Sequence, residues 1–209
     1  MSVPRRVAGR EEPVGKAETI LAAAERAFLA GGFGAVTMDA IAREAGVSKA
    51  TVYAHFHGKE ELFGAVIAHL SERPFGGFPA DALDPFDIAA SLTTIARRFL
   101  DLVLSPEAIA LNRIIIGEVI RFPVLGQVFW TAGPERIRAQ IEAFLRRAAE
   151  AGSLAIPDPR MAAEQFAALA RGEIHLRSLM RLEDPADPAA LDAAAASAVA
   201  TFLRAFQPG

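Results

Sequence analysis

Residues 37–63, TMDAIAREAGVSKATVYAHFHGKEELF, constrain this chain more tightly than any other stretch. Two short helical patterns meet there with almost nothing between them. Thr37 is a good N-cap for the first and Ser48 for the second. Helices joined so closely must cross steeply, and the joint needs a residue free to take a positive φ. Gly46 stands at that position. The faces turned inward need small or branched side chains, and Ala42, Ala45, Val47, Val52 and Phe56 supply them.

Such a helix-turn-helix can lay its second helix in the major groove of DNA. Ser48, Lys49 and Thr51 open that helix, Tyr53 and His55 project from it, and Lys59 opens the next. Hydroxyls, lysines and helix N-termini are the usual phosphate contacts, and they set register more than they read sequence. Lys59 stands near a positive helix N-terminus, a placement that an outside anion such as phosphate would favour. Plainer roles are open to each: Tyr53 as a core aromatic, His55 as a solvent-facing imidazole, Lys59 as a solvated charge. Arg5, Arg6 and Arg10 could reach DNA as an arm or belong to an unstructured tail.

The same stretch resembles the DNA-binding signature of TetR-type transcriptional repressors, over about residues 16–70. The shared features are the capped helix, the A-GVS turn, T-x-Y-x-H-F and K-E-E-L-F. The resemblance implies that Thr37, Thr51, Tyr53, His55 and Lys59 touch the DNA backbone, while Lys49, Ala50 and Ala54 can face bases. Ala50 and Ala54 are small, so direct readout is thin. Thymine methyl contacts, Lys49 on guanine, or DNA shape would supply specificity.

Further along, LNRIIIGEVIRFPVLGQVFWTAGPERI and AAEQFAALARGEIHLRSLM are similar to the C-terminal domain of AefR-like members of that family. This resemblance implies a helical ligand-binding core and a homodimer formed through about residues 159–206. It places a pocket for a small-molecule effector among the helices of 59–73 and 85–151. Phe99, Ile115, Glu118, Phe122, Phe129 and Trp130 are the candidate lining residues, with ordinary core packing as their alternative. Arg113 and Glu118 are unusual on an otherwise apolar helix, because buried charges need partners. They call for another helix or a ligand. His175 falls near the expected dimer face.

The rest of the chain reads as scaffold. Helical patterns cover 16–30, 37–45, 48–55, 59–73, 85–104, 106–122, 124–131, 134–151, 159–180 and 188–206, with no alternating β-run. Prolines 85, 106, 134, 159 and 188 stand at expected first turns. The expected fold is all-α, with about nine or ten helices in three parts. These are a flexible arm over 1–14, a DNA-binding domain over 15–74, and a ligand-binding and dimerisation domain over 75–209.

The chain has no cysteine, which excludes disulfides and thiol catalysis. Four scattered histidines argue against a metal site. No Ser-His-Asp order, phosphate loop or HExxH occurs, so neither an enzyme nor a cofactor is expected. With no signal-peptide pattern and no long apolar run, a cytoplasmic protein without a membrane partner is expected. Net charge is −3, but residues 1–75 balance nine Lys/Arg against nine Asp/Glu. A DNA-binding face needs only local basicity.

The expected function is a ligand-responsive transcriptional regulator, a repressor that binds a palindromic operator as a dimer and is released by an effector. An activator of the same fold and a helical binding protein with a vestigial DNA domain are the alternatives.

Overall fold

The computed structural model describes residues 15–75, 83–182 and 187–208. Every regular element among them is a helix: α1 (Lys16–Ala35), α2 (Met38–Glu44), α3 (Lys49–His55), α4 (Lys59–Phe75), α5 (Ile88–Val103), α6 (Pro106–Glu118), α7 (Val124–Ala132), α8 (Pro134–Glu150), α9 (Pro159–Arg171), α10 (Ile174–Leu179) and α11 (Pro188–Phe206). Arg5, Arg6 and Arg10 lie outside the described residues.

Local chemistry accounts for most helix starts. Side chains of Thr37, Ser48, Asp87, Ser105, Asp158 and Asp187 each accept a backbone N–H from the turn that follows. Such caps satisfy donors that a helix cannot satisfy itself. Prolines open α6, α8, α9 and α11, where the missing N–H costs nothing.

Three expectations need correction. The helix expected from residue 85 begins at Ile88, because Asp87 rather than Pro85 caps it. The single helix expected over 159–180 is two, α9 and α10. Gly172 separates them with φ 46° and ψ −149°, which no helix accommodates. The helix expected over 16–30 runs on to Ala35, with Gly32 at φ 74° and ψ 176° kinking it before its last turn.

Two apolar cores hold the helices. In the first, Phe28, Phe33 and Phe63 pack ring against ring at 5.0–6.0 Å, within the range that favours edge-to-face and offset contacts. Leu111 and Ile115 of α6 and Leu125 of α7 complete it. Helices α1–α4 therefore do not close this core alone.

The second core joins α5, α8, α9 and α11 around Leu92, Ile95, Phe144, Phe166 and Phe202. Buried alanines 162, 163, 195 and 198 on α9 and α11 allow close approach of the backbones. By length and composition α11 is apolar enough to cross a membrane, which the expectation of no such segment missed. Here its Leu191, Val199 and Phe202 are buried in this core.

Candidate functional site

The helix-turn-helix is built almost entirely from local bonds. Gly46 has φ 67°. Its N–H donates to Arg43 O at 3.2 Å, and Val47 N–H donates to Ala42 O at 3.1 Å. This pair of bonds is the Schellman arrangement that ends a helix. Ser48 Oγ then accepts Thr51 N–H at 3.1 Å and shares a hydrogen bond with Thr51 Oγ1 at 2.8 Å.

Only Val52 of α3 is buried, anchoring it on the first core. Lys49, Ala50, Tyr53, Ala54 and His55 are exposed and Thr51 is half-buried. Tyr53, 43% exposed, is no core aromatic. Thr37 is exposed at the start of α2, where its Oγ1 accepts Ala40 N–H at 3.2 Å.

Two lysines differ in how they are held. Lys49 Nζ lies 2.8 Å from Asp39 Oδ1, an ion pair joining α3 to α2. Hydrogen bonding to Asp39 and its charge hold the ammonium above its ordinary pKa. Lys59 donates to Phe33 O at 2.8 Å and Val36 O at 2.9 Å, and its Nζ lies 4.2 Å from the Phe33 ring centroid. Lys59 is thus a tie between the start of α4 and the end of α1, not a free cation awaiting phosphate.

Arg43, one turn beyond Asp39 on α2, is exposed and makes no ion pair among the described residues. Sequence reasoning passed over it, although its i,i+4 spacing from Asp39 was a usable signal.

Residues expected around one pocket divide between two places. Glu118 is not among the residues that line the cavity formed by Phe99, Phe129 and Trp130. Its Oε1 accepts Phe33 N–H at 2.8 Å and its Oε2 accepts Gly34 N–H at 2.7 Å. Phe122 packs on Phe33 with ring centroids 5.3 Å apart, and Ile115 is buried in the first core. All three belong to the joint between α6 and α1. Arg113 also bonds to backbone, reaching Ser178 O at 2.7 Å and Leu179 O at 3.0 Å at the end of α10.

Phe99, Phe129 and Trp130 line a cavity of about 420 Å³ together with Asn112, Arg138, Arg171 and His175. That volume suits one small organic ligand. Arg138 and Arg171 escaped the sequence reading, because charge on a helix normally marks a solvated face. His175 lies at this cavity. Burial and the neighbouring Arg171 cation both press its imidazole below the ordinary pKa.

Helices α6 and α7 touch both places. Asn112 of α6 and Phe129 and Trp130 of α7 line the cavity, while Leu111, Ile115 and Leu125 of the same helices sit in the first core.

Residues 20–66 match the family model of bacterial regulatory proteins of the tetR family, and residues 90–208 match that of the AefR-like transcriptional repressor C-terminal domain. The HTH-type transcriptional regulator SrpR of Pseudomonas putida is 32% identical over 66% of this chain and 63% of its own length. The chain thus spans less than two thirds of that relative.

A solved TetR-family regulator from Mesorhizobium loti superposes with a TM-score of 0.78 at 27% identity, covering 92% of this chain and 97% of that one. The flavonoid-responsive regulator FrrA gives 0.74 at 37% identity, with the same coverages of 92% and 97%.

Fold and matches together define a helix-turn-helix transcriptional regulator. The chain belongs to the TetR family, with a C-terminal domain of the AefR-like type.

Proposed function

We propose that this protein is a dimeric repressor that grips a palindromic operator with α3 and releases it when a small molecule fills the cavity. The observation that carries the reading is the exposed face of α3, where Lys49, Tyr53 and His55 surround a helix anchored by Val52 alone. Thr37, Ser48, Thr51 and Arg43 flank that face as phosphate contacts. Ala50 and Ala54 leave room for the groove, so specificity rests on Lys49 and DNA shape.

A dimer surface is available. Met161 and Leu169 on α9, Leu176 on α10 and Met180 just after it are 41–64% exposed, large apolar side chains that a partner chain would cover. Two short recognition helices about 34–36 Å apart would read a palindrome. The domain division near residues 74–75 is retained in this reading, with α6 and α7 bridging the two parts.

The relative FrrA is named as flavonoid-responsive, which supports an effector for the present cavity. Ligand binding would shift α6 and α7, and Glu118 would carry that shift to the end of α1.

Selection of bound duplexes from a random library tests the reading. A discrete palindrome should emerge, and Lys49→Ala and Tyr53→Ala should weaken its binding about tenfold or more. Recovery of no preferred sequence, or wild-type affinity in both variants, would sink it.

A further inference from the structure

The lining of the cavity bounded by α5–α10 carries two arginines, Arg138 and Arg171, against one carboxylate, Glu164. Arg138, whose side chain is 11% exposed, meets Glu135 at 3.3 Å and Glu142 at 3.2 Å, and Glu142 is also taken by Arg146. Glu164 is divided, 3.9 Å from Arg138 Nε and 3.7 Å from Arg160 Nε. Arg171 has no carboxylate partner among the described residues. His175 adds no charge at neutral pH, since burial and Arg171 oppose its protonation. The Arg138 Nε is buried with no hydrogen-bond acceptor, a donor that native interiors rarely leave unmet.

The lining thus has a cation without a counter-ion and a donor without an acceptor. Both lacks are answered by an anionic oxygen. Flat apolar groups line it as well, Phe99 from α5 and Phe129 and Trp130 from α7, beside the polar Asn112, Glu164 and His175. Rings offer their faces to planar partners. Trp130 is 54% exposed, so its ring has uncovered area to give.

We infer that the cavity takes a planar aromatic acid, its carboxylate answering Arg171 and the Arg138 Nε and its ring lying against Trp130 and Phe99. This rests on the reading of the cavity as the effector site.

Trp130 is the only tryptophan in the chain, so intrinsic fluorescence of the full-length protein reports on this wall. The probes are cinnamate, cinnamamide and cinnamylamine, which share a shape and differ in charge. Cinnamate should bind about tenfold or more tightly than cinnamamide, and cinnamylamine more weakly than either. Arg171→Gln, an exposed change, should erase the advantage of the acid, so that cinnamate and cinnamamide bind alike.

Equal affinity for acid and amide, an undiminished preference in Arg171→Gln, or no response to any of the three overturns the inference. Operator binding measured in the same samples separates the two readings. Release of DNA by uncharged or cationic compounds keeps the effector-responsive regulator and removes the acid. Charge-selective binding by a protein that holds no discrete DNA site does the reverse.

Discussion

Glu118 and Gly34 are in contact across the joint between α6 and α1: Glu118 Oε2 accepts the Gly34 N–H at 2.7 Å. A Cβ on Gly34 would stand 3.0 Å from that oxygen and 3.2 Å from the Phe122 ring. One on Gly32 would stand 2.5 Å from Oε1. Two glycines therefore make room for one carboxylate, and the carboxylate takes two N–H groups where the Gly32 kink interrupts α1. A charged acceptor makes each bond stronger than an ordinary one.

Glu118→Gln should lower stability by about 1–3 kcal/mol, because the amide turns a donor toward an N–H and leaves it unmet. Urea denaturation measures the loss. The same variant should respond less to effector in an operator-binding titration. An unchanged response would show that α1 does not receive the signal through this bond.

Asp39→Asn should strengthen DNA binding at low salt, since Lys49 no longer has to leave a partner 2.8 Å away. Fluorescence anisotropy on a labelled duplex should show a steeper salt dependence, by up to about one unit of slope. Weaker binding would mean that Asp39 positions Lys49 for its contact.

Lys59→Met should cost about 1–3 kcal/mol by stranding the Phe33 and Val36 carbonyls. Thermal and urea melts check this. Reduced DNA affinity without reduced stability would instead place Lys59 on a phosphate.

Gly46→Ala isolates a backbone effect. No atom lies within 4 Å of the added Cβ, and φ is +67°, so steric crowding contributes nothing. The left-handed conformation alone should cost about 1–2 kcal/mol, read from the denaturation midpoint.

His175 gives a pH dependence with a definite sign. Its folded pKa lies below the ordinary 6.5, so on acidification the unfolded chain takes the proton first and stability falls as pH drops through 6.5 toward the folded value. His175→Gln should flatten the loss of stability between about pH 7.5 and about pH 5.5. A profile identical to wild type would show that the imidazole is equally easy to protonate in both states.

The sequence by itself determined the features that depend on neighbours within a turn. Thr37 and Ser48 cap the helices they precede, Gly46 takes the left-handed turn, and prolines open four later helices. These interactions span three or four residues, so residue identity and spacing suffice. Family membership was legible for the same reason.

Tertiary structure alone decided what each long-range side chain touches. Glu118 finds its partner 84 positions away, and Lys59 reaches carbonyls 23 and 26 positions away. Phe99 and Phe122 look alike on a helical wheel, yet one lines the cavity and the other packs on Phe33. Apolar and charged residues at helical spacing specify a face, but the element that meets the face is chosen by packing of the whole chain. That is why the helix-turn-helix and its caps could be named from the sequence, while the joint at Glu118 and the cations of the cavity could not.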